Sequence, residues 1–185
     1  MRKVIASEFV SLDGVMEAPD RWQFPYFNDE MGEAVGAEMA QADAMLLGRV
    51  TYQEFASYWP TSTDEPFASH LNNTPKFVVS RTLEEPLEWQ NSTLIEVNVA
   101  EEIIGLKQQP GKDISILGSA TLVRSLLRDD LLDELRLMVH PIVLGSGKRL
   151  FEDGGDRTAL NLVDSKIFGT GVLYLIYQPD RNEPS

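Results

Sequence analysis

Two places in this chain set glycine, small hydroxyl residues and a helix start at the end of an apolar strand. The first is Leu47-Gly48-Arg49-Val50-Thr51-Tyr52, which closes the apolar run Ala44 to Leu47. That run is short enough to be a strand buried on both faces. Gly48 permits a tight turn and the close approach of another group, and Thr51 stands where a helix N-cap would be. A helix start offers unpaired backbone N–H groups and the positive end of a dipole, which suits a phosphate, and Arg49 adds a full positive charge beside them. The same grammar returns at Ile114 to Leu117, followed by Gly118-Ser119-Ala120-Thr121. Two such junctions in one small domain point to a ligand with several phosphates, as in a nucleotide. The same residues also make an efficient turn that binds nothing, so both roles stand open here.

Other candidates lie at strand ends. Ser80-Arg81 follows the run from Lys76, and an arginine there either meets a phosphate or is simply solvated. Ser11-Leu12-Asp13-Gly14 follows the first strand, where Asp-Gly is a turn signal and Asp13 also a candidate acid. Asp29, Glu30 and Glu33 are alternative acids, or ordinary first-turn charges of a helix. His140, just before Pro141, is either a structural strand-end histidine or part of a site. Gly145-Ser146-Gly147 makes a flexible turn, and Lys148 and Arg149 after it are the nearest cations for a substrate phosphate. Trp22 either packs or lines a ring-binding pocket.

Composition narrows the chemistry. The formal net charge of −13 over 185 residues argues against nucleic acid and anionic membrane surfaces, which need a basic stripe. An anionic ligand must be held by local basic groups against that field. With no cysteine, thiolate sites and disulfides are excluded, and the two histidines lack metal-ligand spacing, so no metal is expected. No run approaches the roughly 20 apolar residues of a spanning helix. Glu8 and Asp13 interrupt the first apolar stretch too early for a signal peptide. A cytoplasmic location is the expectation.

The elements that must carry these residues alternate. Strands are predicted at Lys3–Val10, 44–47, 76–80, 93–97, 114–117 and 134–140, with a last pair at 159–168 and 172–178 joined by Gly169-Thr170-Gly171. Helices are predicted from Asn28, an N-cap, to Ala42, from Thr51 to Tyr58, from Pro66 to Leu71, from Asn98 to Leu106, where Asn98 and Glu101 resemble a capping pair, and from Thr121 to Arg128. Residues 15–27 hold Trp22, Phe24 and Phe27 without a regular period, the pattern of a loop over a pocket. This order predicts an α/β fold: a three-layer α-β-α sandwich whose sheet is mostly parallel with a C-terminal antiparallel hairpin. One domain is expected over 1–178, with a frayed tail at 179–185.

The motifs together resemble the dihydrofolate reductase superfamily. They are most similar to the C-terminal reductase domain of the bifunctional riboflavin-biosynthesis deaminase/reductase and its stand-alone bacterial relatives. Ser11-Leu12-Asp13-Gly14 matches S-L-D-G, and Gly48-Arg49-Val50-Thr51-Tyr52 matches G-R-x-T-[YWF]. Gly118-Ser119-Ala120 and the helix after it match G-G-x, with serine in place of the second glycine. Asp133-Glu134-Leu135, Pro141 to Gly147 and Leu150-Phe151 match D-E-L, P-x-[LIV]-L-G-x-G and L-F. The resemblance implies NADPH bound in extended form across the carboxyl ends of the strands, and hydride transfer to a heterocyclic or sugar-derived substrate. The likeness is to 5-amino-6-(5-phosphoribosylamino)uracil reductase or a dihydrofolate-reductase-like relative. It implies Gly48, Arg49 and Thr51 beside the pyrophosphate and adenosine, with Gly118, Ser119, Ala120 and Thr121 at the pyrophosphate. Ser80 and Arg81 fall near the 2′-phosphate, and Asp13 faces the substrate as binder or proton source. His140, Gly145 and Lys148 fall on the substrate loop, and a homodimer is implied. The rival reading is a non-catalytic nucleotide-binding or regulatory dimer on the same fold.

Overall fold

Short apolar runs alternating with amphipathic helices pair into a single sheet in the computed structural model, which describes residues 1–182. Its strands are β1 (Val4–Ser11), β2 (Ala42–Gly48), β3 (Lys76–Val79), β4 (Ser92–Ile95), β5 (Asp113–Leu117), β6 (Glu134–His140), β7 (Leu160–Ile167) and β8 (Leu173–Pro179). The helices are α1 (Asp29–Gln41), α2 (Arg49–Tyr58), α3 (Phe67–Asn73), α4 (Val99–Gln108) and α5 (Ala120–Arg128). The strand order is β4-β3-β2-β5-β1-β6-β8-β7. Pairings among β1 to β6 are parallel, and β8 runs antiparallel to both β6 and β7. The expected mostly parallel sheet with a terminal hairpin is what forms.

Alternation along the strands feeds two layers of helices. Val4, Ala6, Val10, Leu46, Ile114 and Ile116 pack on one face against Ile103 of α4 and Leu122, Val123 and Leu126 of α5. On the other face Met45, Leu47 and Val78 pack with Tyr52 of α2 and Leu71 of α3. Met31 of α1 packs there too, with Met138, Phe168 and Val172. Burying both faces of a parallel sheet removes its strands from water and leaves the strand ends as the place for polar chemistry.

Local signals at the helix ends fare unevenly. Asn28 caps α1 as expected, its side chain accepting from the amide of Met31 at 3.0 Å. Asn98 does not form the expected capping pair: it enters α4 at a left-handed φ of 53° and makes no side-chain cap bond. Asparagine tolerates that conformation better than most residues, and the turn uses it for backbone shape. The aromatic loop at 15–27 contains two short 3-10 turns, Pro19–Arg21 and Phe24–Tyr26. At the C-terminus β8 runs through Pro179, the Asp180 amide donates to the Ala159 carbonyl, and Arg181 pairs with Asp130 and Asp133. The tail expected from 179 is thus held as far as Arg181, and its positions 183–185 lie outside the described residues.

Lys76, at the start of β3, is fully buried. Its ammonium donates to the carbonyls of Thr74 (2.7 Å), Gln90 (3.1 Å) and Asn72 (3.2 Å), and lies 4.2 Å from the centroid of the Trp89 ring. Burial pushes it down to about 8, which leaves it cationic at neutral pH. Lys76→Met keeps the stem but strands these carbonyls, and is expected to cost about 2 kcal/mol of stability. Urea unfolding measures this, and an unchanged midpoint would show that the loops close without the charge.

Candidate active site

The carboxyl ends of β3, β2, β5, β1 and β6 form one edge, in that order, and the expected site residues fall along it. Four strand spacings of about 4.8 Å make this edge about 19 Å long. Because β5 inserts between β2 and β1, the two glycine junctions stand side by side.

Side chains lace the junctions together. The Gly48 amide donates to Ser119 Oγ (2.8 Å), and that hydroxyl donates to Thr51 Oγ1 (2.9 Å). Thr51 is therefore not the N-cap expected for α2. The helix starts two residues earlier, with Gly48 as its cap, and Thr51 is buried in the first turn with its hydroxyl turned to Ser119. A Cβ on Gly48 would lie 2.8 Å from Ser119 Oγ, and one on Gly118 2.9 Å from Thr51 Oγ1. The close approach these glycines permit is thus of one junction to the other. Gly118 and Ser119 both have left-handed φ, 72° and 66°. This turn sends the chain straight into the start of α5, whose first amides suit an anion.

What remains open at this edge suits phosphates. The first-turn amides of α2 and α5 have no intrahelical partner by the geometry of a helix start. Arg49 is exposed, and its guanidinium donates to Gln53 Oε1 at 3.0 Å. Ser80 is buried, and its Oγ accepts from the amides of Thr82 and Leu83, both at 3.1 Å. It builds the turn from which exposed Arg81 projects. Ala120 is half-buried and Thr121 exposed at the start of α5.

Further along the edge, Asp13 ties two loops together. Its carboxylate accepts from Ser11 Oγ (2.6 Å) and from the amides of Leu144 (3.1 Å) and Gly145 (2.9 Å), with Arg149 Nη2 at 3.8 Å. The Ser11 hydroxyl and these two amides hold it down at about 2. A carboxylate so held carries no proton to give at neutral pH. Lys148 is exposed in the same loop, and its amide donates to Glu17.

His140 and Trp22 come together, but beneath the surface. His140 is fully buried, in edge-to-face contact with the rings of Trp22, Phe9 and Tyr26 at centroid separations of 5.0, 5.7 and 5.8 Å. Its Nδ1 meets the carbonyls of Met138 (2.8 Å) and Val10 (3.2 Å), so that nitrogen carries the proton and Nε2 is left without a partner among the described residues. Burial pushes its titration down. The expected substrate contact at His140 is screened by the aromatic loop. Of the alternative acids, Glu30 accepts from the Gly169 amide (2.8 Å) and fastens α1 to the terminal hairpin, while Asp29 and Glu33 are exposed.

One residue of this edge was not among the expected ones. Glu8 of β1 is 4% exposed, and its Oε2 accepts from the Gly118 amide at 3.1 Å. A signal for it exists in the alternation Val4, Ala6, Glu8, Val10, which puts a lone carboxyl on the core-facing side of a strand.

Residues 2–174 match the family described as the RibD C-terminal domain. The chain belongs to the RibD C-terminal domain family. Two Bacillus subtilis proteins are similar to it throughout. The uncharacterized protein YyaP is 34% identical over 95% of this chain and 94% of its own length. The uncharacterized protein YwjB is 29% identical over 92% and 95%. Among solved structures, a putative riboflavin biosynthesis protein from Shewanella sp. PV-4 superposes with a TM-score of 0.79, at 23% identity, over 97% of this chain and 99% of that one. The Thermotoga maritima deaminase/5-amino-6-(5-phosphoribosylamino)uracil reductase gives 0.67 at 15% identity, over 97% of this chain and 57% of that one. These structures share the fold. Membership of the RibD C-terminal domain family bears out the resemblance and carries an oxidoreductase, pyrimidine-reductase-like function.

Proposed function

We propose that the chain is an NADPH-dependent reductase of a small heterocyclic substrate of the phosphoribosylaminopyrimidine class. The observation that carries the reading is the lacing of Gly48, Thr51 and Ser119, which fixes two helix starts side by side at the carboxyl edge of the sheet. The residues fit the cofactor. Ser119, Ala120 and Thr121, on the turn that Gly118 shapes and with Arg49 opposite, would hold the pyrophosphate, and Arg81 on the turn built by Ser80 would meet the 2′-phosphate. When bound, the nicotinamide supplies the hydride. The chain's own residues bind, orient and exclude water: Asp13 holds the 144–145 backbone against the first loop, and buried Trp22 and His140 support the aromatic wall beside it. Gly145 and Lys148 would receive the substrate, Lys148 through a phosphate. Asp13 thereby acts as a positioning residue for the substrate loop.

Steady-state oxidation of NADPH with a panel of pyrimidine and pterin substrates tests this reading. Binding of NADPH without turnover of any of them would favour the non-catalytic rival. Arg81→Ala is expected to weaken NADPH by about 1–3 kcal/mol, the range for hydrogen bonds to a charged group, and NADH much less. Calorimetry that finds equal losses for both would remove Arg81 from the 2′-phosphate.

A homodimer in the cytoplasm completes the proposal. Leu162, Val163 and Ile167 of edge strand β7 are half or more exposed, an apolar edge that a second copy would cover. Among the described residues no helix is long and apolar enough to cross a membrane. Light scattering at micromolar concentration is expected to give twice the chain mass, and a monomer would count against it.

A further inference from the structure

Glu8 sits behind the phosphate edge, on the core side of β1, with no role in the proposed reaction. Its Oε2 accepts from the Gly118 amide at 3.1 Å, while Oε1 is buried without a partner among the described residues. Gly118 is the first of two consecutive residues at positive φ, and the second, Ser119, is not glycine. Such a turn persists only when its surroundings hold it. Ser119 is held from the β2 side by its hydroxyl, through Gly48 and Thr51. Glu8 is the fastening from the β1 side.

We propose that Glu8 is a positioning residue for the dinucleotide: its carboxyl pins the Gly118 amide inward, so that the next amides, of Ser119, Ala120 and Thr121, are presented outward to the phosphates. The proposal rests on the reading that this turn holds the cofactor. Charge supports it. The carboxyl is buried, and that burial, with Glu38 nearby, pushes it up to about 8, so it is neutral at pH 7. A neutral acid accepts from the amide without setting a negative charge beneath a polyanion. In a chain of net charge −13, that matters.

Glu8→Gln keeps a neutral acceptor of the same reach, whereas Glu8→Leu removes it. NADPH dissociation constants, and the Gly118 amide resonance in ligand-free protein, are the readouts. The glutamine variant is expected to bind within about threefold of the parent with the resonance in place. The leucine variant should bind about tenfold more weakly, the usual worth of one well-placed hydrogen bond, with the resonance moved toward that of a free amide. If the leucine variant does not fold, Glu8→Thr, which suits a strand and is too short to reach Gly118, replaces it. Parental affinity in the leucine or threonine variant overturns the proposal, as does glutamine binding as weakly as leucine. If the parent binds neither NADPH nor NADH, the cofactor reading falls first and takes this proposal with it. If the parent binds and only the variants behave wrongly, Glu8 alone is misassigned.

Discussion

Gly118→Val is expected to cost about 3–4 kcal/mol of folding stability and to abolish NADPH binding in whatever remains folded. Two separate penalties add. The residue has φ 72°, where a side chain costs about 1–2 kcal/mol and a β-branched one more. Its Cβ would also lie 2.9 Å from Thr51 Oγ1 and 3.1 Å from Thr51 Cγ2, and forcing atoms into a packed interior costs about 1–3 kcal/mol. For a domain of this size the melting temperature should fall by about 6–16 °C. The penalties can be separated. In a Thr51→Ala background the clash disappears and the φ penalty stays, so the added cost of Gly118→Ala should fall by about half. A Gly118→Val protein melting with the parent would mean that the junctions are not packed as described.

The sheet is legible in the sequence because its determinants are local. Ala44 to Leu47 reads as a strand since a strand covered on both faces needs an unbroken apolar run, Ile114 to Leu117 as a short apolar run broken only by Ser115 before a glycine turn, and 134–140 from its alternation. The hairpin at Gly169-Thr170-Gly171 and the cap at Asn28 are local in the same sense. The site is only half legible, because its geometry is made by residues distant in the chain. Thr51 has the chemistry of an N-cap, yet a hydroxyl 68 positions away claims its side chain. Asp13 looks like an acid or a turn residue until two amides 131 and 132 positions on take up its carboxylate and hold it ionised. His140 reads as either a structural strand-end residue or part of a site, and the packing of Trp22, Phe9 and Tyr26 shows that it is enclosed. Glycine at 48 and 118 correctly marks close approach, but cannot say that the approaching group is the other junction.

Between about pH 4.5 and pH 8 the protein is expected to lose stability that Glu8→Gln does not lose. In the unfolded chain this carboxyl releases its proton near the ordinary value of 4.5, while in the folded protein burial holds the proton up to about 8. Across that window the folded state binds more protons, so raising the pH favours unfolding. The contribution is whole below the unfolded value and is gone as the pH climbs through the folded one. At about 1.4 kcal/mol per unit the loss is on the order of 3–5 kcal/mol over the window. Other groups titrate in the same range and must be subtracted. Glu38 is also raised by burial and acts with the same sign. His140 and His70 are pushed down by burial and act with the opposite sign below their ordinary value. Asp13, held at about 2, contributes at more acid pH. His140, His70 and Asp13 are unchanged in Glu8→Gln, and Glu38 changes only through its coupling to Glu8, so the difference between the two proteins reports Glu8 together with that coupling even if glutamine shifts the absolute stability. Urea unfolding at several pH values across the window should show the two free energies converging or crossing as the pH rises. Parallel curves would mean that folded Glu8 is already ionised, and that a negative charge does lie beneath the Gly118 turn.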